Sequence, residues 1–285
     1  MIPFKRGRIA AVILVLFAGL GFSVVAAIVK AVSTEVHPFQ LVFLRTFFGL
    51  IWVFPFLLRR GVALSLISDH PRLHLLRGMA GILAMGSAFY AYAHLPLALV
   101  TAIGFTTPLW VIGLAWSLLH ERMDRSSGLA TIMGFSGVLL MSPPGSNPWE
   151  IAWLAALCSP FFEALVLVLV KRLTATEPIL NIIATYSFIS VAFWLPVAVW
   201  VWRPITNHDL FAMILAAGIA TSSQAATINA YSMAPATLIT PFFYVRLIFI
   251  GIIGYLFFRE LPTWNTWLGA MVIIGSNVAI LKLKG

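Results

Sequence analysis

The sequence predicts an all-α polytopic membrane protein, with ten transmembrane helices arranged as two inverted five-helix repeats, residues 1–145 and 146–285. Three observations lead there. Of the 285 residues, 61% are hydrophobic and 9% charged, with a mean hydropathy of +1.00. The apolar residues gather in ten runs of about membrane-spanning length. Segments of the first half recur in the second at a nearly constant spacing.

Soluble domains carry about 25% charged residues. A chain this poor in polar groups cannot cover a water-facing surface, so lipid must solvate much of its exterior. The formal charge of +9 and pI of about 10.2 would point to nucleic acid in a soluble protein. Here the basic residues form short caps between apolar runs, the pattern that encodes membrane topology, and no nucleic-acid partner is expected. The lone cysteine, Cys158, excludes an internal disulfide and a cysteine metal cluster. No metal or cofactor is expected. His70 and His74 flank Pro71 in a basic linker and are read as solvated or headgroup-facing.

Crossing roughly 30 Å of hydrocarbon takes about 20 helical residues, and lipid leaves open backbone groups unsatisfied, which demands helices. The first run, 9–29, follows Lys5, Arg6 and Arg8. It is longer than the roughly 7–15 apolar residues of a signal peptide and lacks a small-residue cleavage site, so it is read as a retained helix. The second run, 38–58, carries Arg45 about 10 Å below its outer end. A mildly amphipathic linker, Gly61–His74, is expected to lie along the inner surface. Runs 73–93, 96–119 and the short 127–142 complete the first half. Ser142–Pro148, with Pro143, Pro144 and Gly145, is a turn-rich break. The second half holds runs 150–170, 179–202, 209–232, 235–258 and 263–281. Trp149, Trp202, Trp264 and Trp267 fall near run ends, where interfacial anchors belong.

With the N-terminus cytoplasmic, 13 of the 18 Lys and Arg lie at cytoplasmic ends. Lys30, Arg203 and Arg259 lie on the other side, and Arg45 and Arg246 within runs. This asymmetry predicts two cytoplasmic termini and an even number of spans.

The repeat emerges at one offset. Pro96, Leu99, Thr101 and Glu121 recur as Pro235, Leu238, Thr240 and Glu260, each 139 residues on. Val29-Lys30 matches Val170-Lys171 at 141, and Pro38 matches Pro178 at 140. Five spans per unit force the two units into opposite orientations, as in many secondary transporters.

Several segments carry a family resemblance: Phe43-Leu-Arg45, Leu95-Pro-Leu-Ala, Phe105-Thr-Thr-Pro-Leu109, and the Glu121-Arg122 and Arg259-Glu260 helix ends. Over nearly its whole length the chain resembles the drug/metabolite transporter superfamily, specifically its ten-helix EamA-type members. Arg72-Leu-His-Leu-Leu-Arg77-Gly also resembles the subset containing S-adenosylmethionine and riboflavin uptake proteins. The resemblance implies a central cavity lined mainly by spans 1, 3, 4, 6, 8 and 9. It places an arginine at position 45 irrespective of substrate, so Arg45 is read as a structural charge. Arg259-Glu260 reverses the order of Glu121-Arg122, so that motif is imperfect in its second copy.

Charges within a bilayer cost roughly 2.5–3.5 kcal/mol each even on the lenient insertion scale. Glu163, near the middle of span 6, and Arg246, near the middle of span 9, therefore stand out. Two readings are open: a buried ion pair pinning two helices, or cavity groups that bind substrate, proton or both. Their repeat counterparts are uncharged, Thr107 for Arg246 and Phe22 or Ser23 for Glu163. An asymmetric substrate permits that difference. Gln224 and Tyr231 share a face of span 8, and Tyr90, Trp110, Phe161 and Tyr244 offer flat surfaces for a ring or cation. Pro108, Pro160 and Pro241 interrupt cavity helices and are candidate hinges. Gly19, Ser23 and Ala27 in span 1, and Ala80, Ala84 and Ala88 in span 3, form small-residue seams.

The expected function is alternating-access transport of a small zwitterionic or heterocyclic metabolite, such as an amino acid or S-adenosylmethionine, across a bacterial inner membrane. Export of amino acids, drugs or riboflavin-like compounds is the alternative within transport. The expected partners are this small-molecule substrate, a coupling proton and membrane lipid, with the protein a monomer or a homodimer. An intramembrane enzyme is the rival class. It finds no support in motifs: HExxH and the P-loop are absent, and Asp69, Asp124 and Asp209 sit at span ends.

Overall fold

The computed structural model of the chain describes residues 4–59, 70–119, 125–141, 150–173, 176–177, 179–233, 242 and 244–284. Among them are eleven helices: α1 (Phe4–Val32), α2 (Pro38–Arg59), α3 (Pro71–His94), α4 (Leu97–Gly104), α5 (Thr107–Leu119), α6 (Arg125–Met141), α7 (Ile151–Leu173), α8 (Ile179–Trp200), α9 (Asn207–Met233), α10 (Val245–Phe258) and α11 (Trp264–Lys284). Among the described residues the fourth run divides into two helices, α4 and α5. By length and composition, segments of α1, α2, α7, α8 and α9 can cross a bilayer alone. Large apolar side chains stay on the outside, among them Leu139, Trp200, Leu256 and Phe257, an exterior suited to lipid.

Packing follows the repeat. Exchanging the halves turns α1 into α7, α2 into α8, α3 into α9, α4–α5 into α10 and α6 into α11. Under that exchange the α1–α9 contact becomes α7–α3, α1–α10 becomes α7–α5, and α2–α9 becomes α8–α3; all six pairings occur. The α2–α8 and α6–α11 contacts map onto themselves. Two five-helix units related by a pseudo-twofold in the membrane plane give this pattern. At the centre lies α4, buried from Leu97 to Ile103, against Met141, Trp153, Leu247, Ile250 and Ile273.

Glycine sets the closest crossings. A Cβ on Gly269 of α11 would lie 2.3 Å from the Gly137 carbonyl oxygen of α6, and one on Gly137 would lie 2.8 Å from the Gly269 oxygen. On α3, Gly81 and Gly86 lie under Tyr186 and Trp194 of α8, where an added Cβ would fall 2.6 and 2.7 Å from the ring atoms.

Two expectations need correction. The fourth run was expected as one helix, yet it breaks at Phe105–Thr106. Pro108 has no N–H to offer the Gly104 carbonyl, which accepts instead from Thr107 Oγ1 at 2.8 Å. The Phe105 and Thr106 N–H groups tighten to the carbonyls three residues back. His74, expected at the surface, is buried, with Nε2 2.7 Å from Glu177 Oε2. Pro71 opens α3 rather than interrupting it, which carries His74 one turn inside. Arg77, three residues further, is buried as well and stacks on Tyr186 at 3.9 Å.

Overpacking a tight crossing costs about 1–3 kcal/mol. Gly269→Val should therefore lower the melting temperature of the purified protein. Gly275→Val, on the same helix with nothing within 4 Å, should not. Equal melting of the two variants would remove the close α6–α11 approach.

Candidate functional site

The break in the fourth span places Thr107 at the head of α5. Its hydroxyl, already bonded to the Gly104 carbonyl, lies 3.3 Å from Glu163 Oε2 on α7. Arg246 occupies the second position of α10. Its Nη2 donates to the Tyr92 hydroxyl of α3 at 3.1 Å, and its guanidinium sits 5.5 Å over the Phe22 ring of α1. Gly19 of α1 lies beside the arginine stem: a Cβ there would meet Arg246 Cβ at 3.7 Å, an ordinary packing contact. Arg246 Nε is buried without a hydrogen-bond partner among the described residues.

Glu163 and Arg246 feel each other's charge, but among the described residues no ion pair within 4.0 Å joins them. Glu163 retains an exposed surface. The arrangement is two opposite charges that face each other without closing. A guanidinium with a free N–H can take a planar oxyanion, and the carboxylate can take a cation or a proton.

The two halves meet here as images of each other. Thr107 and Arg246 are 139 apart, and Phe22 and Glu163 are 141 apart, so the Thr107–Glu163 contact repeats as the Arg246–Phe22 contact. Phe105 and Tyr244, also 139 apart, touch edge-on with ring centroids 5.0 Å apart. Equivalent residues touch only where the pseudo-axis passes between them.

Trp110 meets Phe161 edge-on at 5.2 Å and Phe135 at 4.6 Å, and its Nε1 is buried without a partner among the described residues. Tyr90 is placed elsewhere, stacked on His94 at the end of α3. Gln224 is exposed on α9. Pro108 lies in the first turn of α5, and Pro160 lies inside α7, which continues through it. Arg45 is half-buried on α2, within electrostatic reach of Tyr186. Pro241 and the Tyr231 side chain lie outside the described residues.

A strap closes one end of the bundle. Lys30, at the end of α1, pairs with Glu260, and its Nζ donates to the Leu95 carbonyl at 2.8 Å. Glu260 Oε2 accepts the Leu97 N–H at 2.9 Å, capping the buried α4 and meeting its positive dipole end. Arg259, left-handed at φ 54°, ends α10 and turns Glu260 inward, with the Glu260 N–H bonded to the Gly254 carbonyl at 3.0 Å. The strap thus ties α1 and the α3–α4 turn of the first half to the α10–α11 turn of the second. The repeat search picked out Lys30 and Glu260, but nothing in one dimension paired them. Tyr92 carried no signal in the sequence.

Comparison with known proteins bears on this geometry. The model of the EamA-like transporter family matches residues 9–142 and again 150–282. The S-adenosylmethionine uptake transporter of Rickettsia prowazekii (strain Madrid E) is 26% identical over 252 residues, 88% of this chain and 85% of that protein. The pseudopaline exporter CntI of Pseudomonas aeruginosa is 28% identical over 279 residues, 96% of each. A solved structure titled "Crystal structure of protein" superposes with a TM-score of 0.65 at 18% identity, over 97% of this chain and 98% of that one, a likeness of fold.

Glu163→Gln keeps the shape of the side chain and deletes its charge. Because no direct counter-ion is stranded, the melting temperature should hold or rise. Glu260→Gln strands Lys30 and weakens the α4 cap, and should lower stability by about 1–2 kcal/mol. A loss of about 3–5 kcal/mol at Glu163 would instead mark a structural ion pair.

Proposed function

The chain belongs to the EamA-like transporter family, and from that premise we propose that it carries a small zwitterionic or heterocyclic metabolite across the cytoplasmic membrane by alternating access. The substrate class is an amino acid or an S-adenosylmethionine-like compound. One observation carries the reading: Glu163 and Arg246 come from separate elements of a two-fold bundle and face each other unpaired. Arg246 takes the substrate carboxylate through its planar fork. Glu163 takes the positive group, or holds a coupling proton when the site is empty. Phe22, Tyr92, Phe105 and Tyr244 supply flat walls for a ring or a cation. Trp110 and Phe161 pack behind Thr107.

In this reading both termini are cytoplasmic, the repeats divide at 145/146, and the Lys30–Glu260 strap closes the outer face. The structure is then inward-facing or occluded, and the strap opens when the halves rock. Export is the second reading. A relative of comparable similarity is named as an exporter, and the same site serves either direction, with the gradient deciding.

Two experiments follow. In proteoliposomes, labelled S-adenosylmethionine should accumulate chemically unchanged, and Arg246→Ala and Glu163→Gln should each reduce uptake at least about 100-fold, the loss of a charged contact worth roughly 3 kcal/mol. Normal uptake by both variants removes the site assignment, and a chemically altered product removes the transporter reading. For the strap, spin labels at Ala31→Cys and Leu261→Cys in a Cys158→Ser background should report one short distance in the parent and an added longer one with Lys30→Met. An unchanged distribution would deny the strap a gating role.

A further inference from the structure

On the face that carries the strap, a cavity of about 310 Å³ opens between the α1–α2 turn, the end of α3 and the α8–α9 turn. Ser33, His37, Tyr90, His94 and Arg203 help to line it. It shares no residue with the Glu163–Arg246 site. Its volume is at the lower end of the roughly 300–1,000 Å³ usual for small-molecule sites.

Each of its basic groups has its own brace. Gln40, fully buried on α2, clamps the Arg203 backbone twice: Oε1 accepts the Arg203 N–H at 2.9 Å, and Nε2 donates to the Arg203 carbonyl at 3.0 Å. His94 holds Nδ1 2.8 Å from the Tyr90 carbonyl, and its ring stacks on Tyr90 with centroids 4.2 Å apart. His37 Nδ1 accepts the Phe39 N–H at 3.3 Å, with its ring edge-on to Phe39. His37 Nδ1 accepts, which leaves Nε2–H to donate to an anion, whereas His94 Nδ1–H donates to a carbonyl, so its Nε2 donates to an anion as the imidazolium.

Among the described residues that line the cavity there is no carboxylate. Partial burial, and then the charges of Arg203 and His94, keep the His37 imidazole below its usual range. The neighbouring acids are engaged or outside: Glu35 is exposed, Asp209 bonds Thr206 and His208, and Glu260 is taken by Lys30. Convergent basic groups that repel one another are stabilised by an anion between them.

We propose that this cavity is an oxyanion site, which takes a carboxylate or phosphate group between the Arg203 guanidinium and the His37 and His94 imidazoles. On the outer face it concentrates acidic solutes, or a lipid headgroup, at the mouth of the bundle. The proposal is independent of the transport reading, since it concerns equilibrium binding at other residues.

The test uses the full-length protein in phosphatidylcholine nanodiscs, with isotope-labelled histidines followed by NMR. His37→Gln and His94→Gln assign the two ring signals. Acetate and inorganic phosphate are titrated against chloride at constant ionic strength. Both signals should shift saturably, while that of His70, exposed at the opposite end of α3, stays fixed. Arg203→Gln leaves the Gln40–backbone clamp intact and should weaken apparent affinity at least about tenfold. In discs containing phosphatidylglycerol, saturation before any solute is added identifies a headgroup as the occupant; displacement by acetate identifies a free acid. Shifts that do not saturate, that appear equally at His70, or that survive Arg203→Gln overturn the site.

Discussion

A bilayer core cannot hydrate a charge, and this chain carries two of opposite sign, Glu163 and Arg246, within its apolar runs. Glu163 and Arg246 can persist there only if the bundle encloses a polar space and supplies partial partners. The surrounding structure supplies the partial partners. The α4–α5 break turns the Thr107 hydroxyl toward Glu163, and Tyr92 and Phe22 receive the guanidinium. The charges remain apart, and a ligand carrying both signs would satisfy both.

The scaffold around this pair is symmetric while the chemistry is not. Helix pairings map onto each other when the halves are exchanged, which gives inward and outward packings of similar energy. At the site, Thr107 answers Arg246 and Phe22 answers Glu163. In the proposed mechanism a symmetric frame supplies two related states, and the asymmetric residues recognise a solute that has no symmetry. The Lys30–Glu260 strap adds an ion pair and a helix cap at one end, and in the proposed cycle it favours the state closed there. Contacts of that kind contribute only a few kcal/mol, comparable with what a bound ligand can redistribute.

Much of the fold was legible because lipid imposes so strict a pattern. Apolar runs, basic caps and a 139-residue offset sufficed for the helix order and the inverted repeat, and they singled out Glu163 and Arg246. What escaped depended on three dimensions. The fourth span looked continuous, since hydropathy is blind to a proline and two threonines redirecting carbonyl bonds. His74 looked like the end of a basic linker and Arg77 like a cytoplasmic-end charge of the third run, although Pro71 opens a helix that buries both. Tyr90, grouped with the central aromatics, belongs to a cavity at one end, because it lies near the close of α3. Tyr92 became visible only when its hydroxyl met Arg246 across 154 residues of chain.

The account rests on Glu163 and Arg246 sharing one aqueous space that opens to each side in turn. The most direct measurement replaces Phe22, beside Arg246, with cysteine in a Cys158→Ser background and applies a charged, membrane-impermeant thiol reagent from either face. The account predicts modification from both faces, slowed by bound substrate. Protection from both faces, or access from one face that no ligand alters, would contradict it.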